Sequence, residues 1–160
     1  MEEQVLETVS DYELERDKPM PNFNHGYIQL NLGIALREQY GKQYSVVSEV
    51  SIPTGTTTVT PDVLVFPKRP VNWLETKPEL PEPPILAIEI QSPSQSIETV
   101  INKANALLEI GVKSVWLIQP ALQTVSIFSK SNPPKTFVEG IVQDKISGIE
   151  LSFEKIFATE

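Results

Sequence analysis

Cysteine is absent from these 160 residues. That excludes disulfides and every zinc site built on thiolates, and it fits a reducing compartment. Histidine occurs once, at position 25. With no GxSxG sequence beside it, a serine–histidine triad has little to stand on. The P-loop and GxGxxG patterns are also missing. No apolar run approaches the ~18–20 residues of a membrane helix. The first residues, MEEQVLETVSDYELERD, are acidic and lack the apolar stretch of a signal peptide. The expectation is a cytoplasmic protein.

Basic residues are scarce too. Thirteen Lys and Arg stand against 21 Asp and Glu, a formal net charge of -8. Phosphate affinity comes mainly from Lys and Arg, so this balance counts against broad electrostatic binding to nucleic acid. The deficit is uneven: residues 1–20 hold seven acids and two bases, whereas residues 99–136 hold four lysines and one acid. A locally basic face stays open, and so does an acidic surface that serves solubility. No DNA-reading helix is recognisable.

The rest of the composition is ordinary for a globular protein, with 40% hydrophobic and 21% charged residues. The length suits one domain, residues 1–160, with one sizeable core. Ile28, Leu32, Ala35 and Leu36 predict a helix over about 23–40, capped by Asn22 or Asn24 and ended by Gly41. YSVVSEVSIP, residues 44–53, alternates as a strand. PDVLVFP and ILAIEIQ predict two more, and the PELPEPP stretch between them, residues 78–84, predicts an extended loop. Val100, Ala104, Leu107, Leu108 and Ile110 predict a second helix near 95–110. Ser92-Pro93-Ser94-Gln95 has the form of its capping box, and Gly111 is placed for a left-handed ending. SVWLIQP and TVSIFS read as two strands, followed by a strand end and short helix in GIELSFEKIFATE. This order implies an α/β fold with a central mixed sheet flanked by helices.

Four polar residues stand where apolar ones are expected: His25, Asp62, Glu89 and Lys103. Alternation along ILAIEIQ places Glu89 with Ile85, Ala87 and Gln91 on a face that is buried at its start. A buried carboxylate needs a cation, a metal or a strong donor. Lys103 shares the apolar helix face of Val100 and Leu107, and His25 that of Ile28 and Leu32. Two carboxylates, a lysine and a histidine thus turn inward. Oxygen ligands of this kind suit Mg²⁺ or Mn²⁺, and a nearby Lys can orient water or neutralise phosphate.

Taken in order, Thr60-Pro61-Asp62-Val63, Glu89-Ile90-Gln91-Ser92-Pro93-Ser94, Lys103 and GVKSVWLI at 111–118 resemble the branch of the PD-(D/E)XK nuclease superfamily described as restriction endonucleases. Its members are catalogued largely as domains of unknown function. The resemblance runs from the His25 helix to GIELSFEKIF. It implies a restriction-endonuclease-like core and Mg²⁺-dependent (or Mn²⁺-dependent) hydrolysis of phosphodiesters, with DNA as the expected partner and a homodimer for two-strand cleavage. It implies Asp62 and Glu89 as metal ligands and catalytic carboxylates. The superfamily's usual lysine, two residues after the second acid, is Gln91 here. Lys103, from the following helix, matches the position that takes over in this branch. His25 and Gln91 are accessory candidates.

Structural alternatives stand beside these roles. Asp62 also reads as a strand-initiating residue, Glu89–Lys103 as a structural salt bridge, and Lys103 as a side chain reaching water along the helix. Glu49 is a further acid whose alternation fits a solvent-facing side chain equally well. Trp73 and Trp116 read as packing residues rather than base-stacking platforms. The competing function is a nuclease-like fold that no longer cuts and serves as a binding or assembly module. A metal-dependent hydrolase of small nucleotides is a third reading, because it needs no extensive basic surface.

Overall fold

The computed structural model describes residues 20–55, 57–77 and 82–160. A six-stranded mixed sheet runs in the order β1 (Tyr44–Ser48), β4 (Val63–Pro67), β5 (Leu86–Ile90), β6 (Ser114–Gln119), β7 (Thr124–Phe128) and β8 (Lys135–Phe137). Only β5 and β6 are parallel; the other neighbours in this sheet are antiparallel. Two small hairpins complete the strands, β2 (Ile52–Pro53) with β3 (Thr58–Val59) and β9 (Ile141–Gln143) with β10 (Glu150–Ser152). Helices α1 (Phe23–Tyr40) and α2 (Ile97–Glu109) cover opposite faces, and a short α3 (Phe153–Phe157) packs with α1.

Period-two alternation divides the core into two layers. Val63, Val65, Leu86, Ile88 and Ile90 face α1, where Ile28, Leu32, Ala35 and Leu36 meet them. Leu64, Phe66, Ala87 and Val115 face α2, against Ala104, Leu107 and Leu108. Central strands buried on both faces read as continuous apolar runs. An acid inside such a run is therefore conspicuous.

The helix ends follow local chemistry. Asn22 Oδ1 accepts the His25 N–H at 2.9 Å, capping α1. Gly41 closes it, since a Cβ there would meet the Arg37 carbonyl oxygen at 2.5 Å. At the end of α2, the Val112 N–H donates to Leu107 O and the Gly111 N–H to Leu108 O, both at 3.2 Å. With Gly111 at φ +105°, this is the Schellman ending expected of that glycine.

Three expectations are corrected. The stretch 44–53 is not one strand: it breaks after Ser48, where Glu49 adopts φ +53°. The cap of α2 is Ser96, whose side chain accepts the Thr99 N–H, not Ser92. Ser92 and Gln95 do bond reciprocally, the Gln95 N–H to Ser92 O at 3.0 Å and the Ser92 N–H to Gln95 Oε1 at 3.4 Å. They form a turn just before the helix, so a capping-box pattern in sequence marks the approach to α2 rather than its first residue. Trp116 is fully buried as expected, but Trp73 is 89% exposed and packs in no core. The loop expected at 78–84 lies partly outside the described residues, at 78–81.

Candidate active site

Strands β4 and β5 pair with Val63 opposite Ile88 and Leu64 opposite Ala87. Continued by one residue, this register sets Asp62 opposite Glu89. The ladder is modified there: the Asp62 N–H donates to Ile88 O at 3.1 Å, and the Ile90 N–H donates to the Asp62 side chain, Oδ2, at 2.8 Å. Pro61 precedes, and its nitrogen has no proton to offer a ladder. A carboxylate thus occupies the end of the pairing, fully buried, with Glu89 beside it at 2% exposure.

The first helix reaches the same point. His25 Nε2 lies 3.1 Å from Asp62 Oδ1, and both side chains are buried. His25 Nδ1 has no hydrogen-bond partner among the described residues. One turn further along α1, Gln29 Nε2 donates to the Asp62 carbonyl at 3.2 Å. From the edge strand, the Glu49 N–H donates to the same carbonyl at 3.2 Å. Asp62 is consequently held by α1, by β5 and by the bend after β1. Glu49 pays a conformational cost to make its bond, since a left-handed residue other than glycine is disfavoured by about 1–2 kcal/mol.

Alternation carries Glu89 to the α2 face with Ala87. Lys103 is half-buried on α2, next to buried Ala104 and one turn from Val100 and Leu107. Glu89 and Lys103 therefore belong to the same layer, whereas His25 approaches from the opposite one. Gln91 is engaged at both ends of its amide. Its Oε1 accepts from Gln119 Nε2 and its Nε2 donates to Gln95 O, each at 3.0 Å. Its backbone N–H donates to Ile118 O. Gln91 ties β5, β6 and the approach to α2 together.

A cavity of about 270 Å³ opens at this end of the sheet, lined among others by Asn22, Asn24, Gln91, Ser92 and Gln119. These residues follow β5 and β6 or precede and flank His25 in the chain; Asp62 and Glu89 are not part of the lining. Crevices beyond the carboxyl ends of parallel strands are the usual ligand positions in open α/β sheets.

The donor set can be tested against a metal. Among the described residues, no group of three or more His, Cys, Asp or Glu is arranged to hold an ion. A closed all-protein cage is thereby excluded for those residues. Mg²⁺ needs none: it keeps several waters and binds through one or two carboxylates together with substrate phosphate. Two buried carboxylates at the ends of neighbouring strands supply the one or two ligands of that mode.

A family model described as "Uma2: Putative restriction endonuclease" matches residues 3–154. The chain belongs to this family. A solved structure described as a "putative nuclease belonging to DUF820 from Anabaena variabilis ATCC 29413" superposes with a TM-score of 0.76 at 26% identity, covering 88% of this chain and 84% of that one. No curated protein matches the chain. The Uma2 chain thus has the restriction-endonuclease-like fold its motifs implied. No helix of the described residues is long and apolar enough to cross a membrane.

Two features of this Uma2 chain escaped the sequence reading. Gln29 supports Asp62, and its spacing four residues after His25 was the available signal. Asp144 is a buried acid that was not singled out. It accepts from Ser114 Oγ, Trp116 Nε1, the Ile146 and Ser147 N–H groups and Ser147 Oγ, at 2.6–3.2 Å. Five donors make it an anchor for the β9–β10 hairpin rather than a site open to ligands.

Proposed function

We propose that this Uma2 protein is a Mg²⁺- or Mn²⁺-dependent endonuclease hydrolysing nucleic-acid phosphodiesters, with DNA as substrate. The observation that carries the reading is the pair Asp62 and Glu89, two buried carboxylates at the adjoining ends of the paired strands β4 and β5. Carboxylates buried near one another need positive charge or donors to compensate them, and a divalent cation is one such source. The family and the DUF820 neighbour described as a nuclease support the reaction class.

In this reading Asp62 and Glu89 hold the ion, and His25, Gln29 and the Ile90 N–H hold Asp62 in place. The ion, when bound, supplies Lewis-acid charge to the scissile phosphate and acidity to water. Lys103, in the layer of Glu89, orients the attacking water or neutralises charge developing on phosphate. Water oxygen bonds to phosphorus and gives up a proton to solvent, one P–O ester bond breaks, and the departing oxygen takes a proton from solvent. Gln91 is not a ligand but the brace that keeps the β5 end next to β6. One domain, residues 1–160, carries all of these groups. Cutting both strands of a duplex takes two such centres, which a homodimer supplies. The reading places the protein in the cytoplasm, where its substrate lies.

The decisive experiment incubates supercoiled plasmid with the protein and Mg²⁺ or Mn²⁺, alongside Asp62→Ala. The expected outcome is cleavage by the wild type and none by the folded variant. Cleavage that survives the substitution sinks the assignment. The second reading, a fold that binds without cutting, is favoured by the engaged amide of Gln91 and the net charge of -8. It predicts no cleavage of DNA, RNA or nucleotides with either metal. Hydrolysis of nucleotides alone would point to a small-substrate hydrolase.

A further inference from the structure

Helix α1 is apolar on two sides. Its inner side holds Ile28, Leu32, Ala35 and Leu36 in the core. On its outer side Phe23, Tyr27, Leu30 and Ile34, preceded by Met20, follow one another at alternating steps of three and four residues. Their exposures range from 39% to 81%. That spacing is the seam of a helix that packs against another helix. Single exposed apolar residues are unremarkable, but five in one stripe are a contiguous patch.

Gly26 and Gly33 run alongside the stripe. A glycine inside a helix is destabilising relative to alanine. Neither is required by the chain's own packing, because a Cβ at either would meet nothing within 4 Å. Both line a groove of about 640 Å³ between α1 and the edge strand β1, with Leu30, Ile34 and Arg37 on its rim. The groove lets a second backbone come close where a side chain would hold it off.

We propose that the outer face of α1 is the interface of a homodimer, formed by two α1 helices crossing antiparallel about a two-fold axis near Tyr27. Tyr27 is the midpoint of the stripe, so the axis sets Met20 and Phe23 of one copy against Ile34 and Leu30 of the other. Opposed helix dipoles favour this direction. The flanking Asn24 and Asn31 are uncharged, so self-pairing meets no repulsion along most of the seam. At about 200 Å² for a large side chain, the stripe exposes roughly 500–600 Å². The groove rim brings this towards the ~800 Å² per partner of a standard stable interface. The proposal gives a surface to the homodimer of the nuclease reading and stands or falls apart from the metal site.

The test uses the full chain. Sedimentation across a concentration series is expected to show a dimer for the wild type and at least a tenfold weaker one for Leu30→Glu, with circular dichroism unchanged. Because the chain has no cysteine, Tyr27→Cys provides a second measurement. Mild oxidation is expected to give a disulfide-linked dimer, whereas Leu122→Cys, exposed on the β6–β7 turn, stays monomeric. A wild type that is monomeric throughout overturns the proposal, including one whose stripe is covered by residues 1–19 or by another protein. So does a Leu30→Glu dimer of unchanged strength, or Tyr27→Cys that does not cross-link. Thermal stabilisation by Mn²⁺ in Leu30→Glu reports the metal site independently, so loss of the dimer and failure of the nuclease reading are distinguishable.

Discussion

His25 Nε2 meets Asp62 Oδ1 at 3.1 Å across the boundary between the first helix and the sheet, in a place where both residues are buried. The contact joins the only histidine of the chain to the buried acid that immediately precedes β4. It also explains why a helix whose inner face is otherwise aliphatic carries an imidazole there.

Replacing His25 by Ala leaves the Asp62 carboxylate buried with one donor fewer. Hydrogen bonds to charged groups contribute about 1.5–3 kcal/mol. The expected loss of stability is in that range, read as a lower urea midpoint at unchanged slope. An unchanged midpoint would show that Asp62 does not depend on His25.

The β5 acid was legible in the sequence because central strands are apolar on both sides, so a carboxylate in LAIEI stands out, whether it holds an ion or pairs with Lys103. Asp62 was legible only with its neighbours, since an Asp after Pro also begins a strand for purely local reasons. The break at Glu49 was not legible: alternation continues through Ser48, Glu49 and Val50, and the bond of its N–H to the Asp62 carbonyl, which accompanies the turn, joins residues thirteen apart that no local pattern connects. Asp144 was hidden for a similar reason. Its donors come from β6 and from its own turn, and nothing local distinguishes Asp-Lys from a surface pair. Trp73 shows the reverse error, because size and apolarity favour burial but a proline-flanked loop carried it outward.

The pair of acids makes a prediction about metal and stability together. Glu89→Gln removes one buried carboxylate charge while keeping the size of the side chain, and the metal-free melting temperature of the variant is the baseline against which the effect of the ion is read. Ligands that bind only the folded state raise stability by mass action. Mg²⁺ or Mn²⁺ is therefore expected to raise the wild-type melting temperature and to leave Glu89→Gln unmoved. A variant that gains as much from the ion as the wild type would remove Glu89 from the ligand set.

Lys103 and Gln91 separate in the same way. Gln91→Ala deletes two side-chain hydrogen bonds, and a loss of about 1–3 kcal/mol is expected, with stabilisation by Mn²⁺ retained. Lys103→Met keeps the apolar stem on α2 and is expected to keep a cooperative melt while plasmid cleavage falls by about a hundredfold or more. Equal loss of cleavage in both variants at equal stability would make Gln91 a participant rather than a brace.

Glu49 supplies the last test, because it pairs strain with position. Its left-handed backbone places its N–H on the Asp62 carbonyl, and the backbone bond needs no particular side chain. Glycine adopts that conformation without steric cost. Glu49→Gly is therefore expected to keep the bond, relieve up to about 1–2 kcal/mol of strain, and offset part of that gain through greater freedom of the unfolded chain. The net outcome expected is an unchanged or slightly higher urea midpoint with cleavage preserved. Glu49→Pro removes the donor and cannot take a positive φ, so it is expected to lower both stability and cleavage. If Glu49→Gly instead abolished cleavage in a protein of undiminished stability, the Glu49 carboxylate itself would be part of the acid cluster, and Asp62 and Glu89 would no longer account for the site alone.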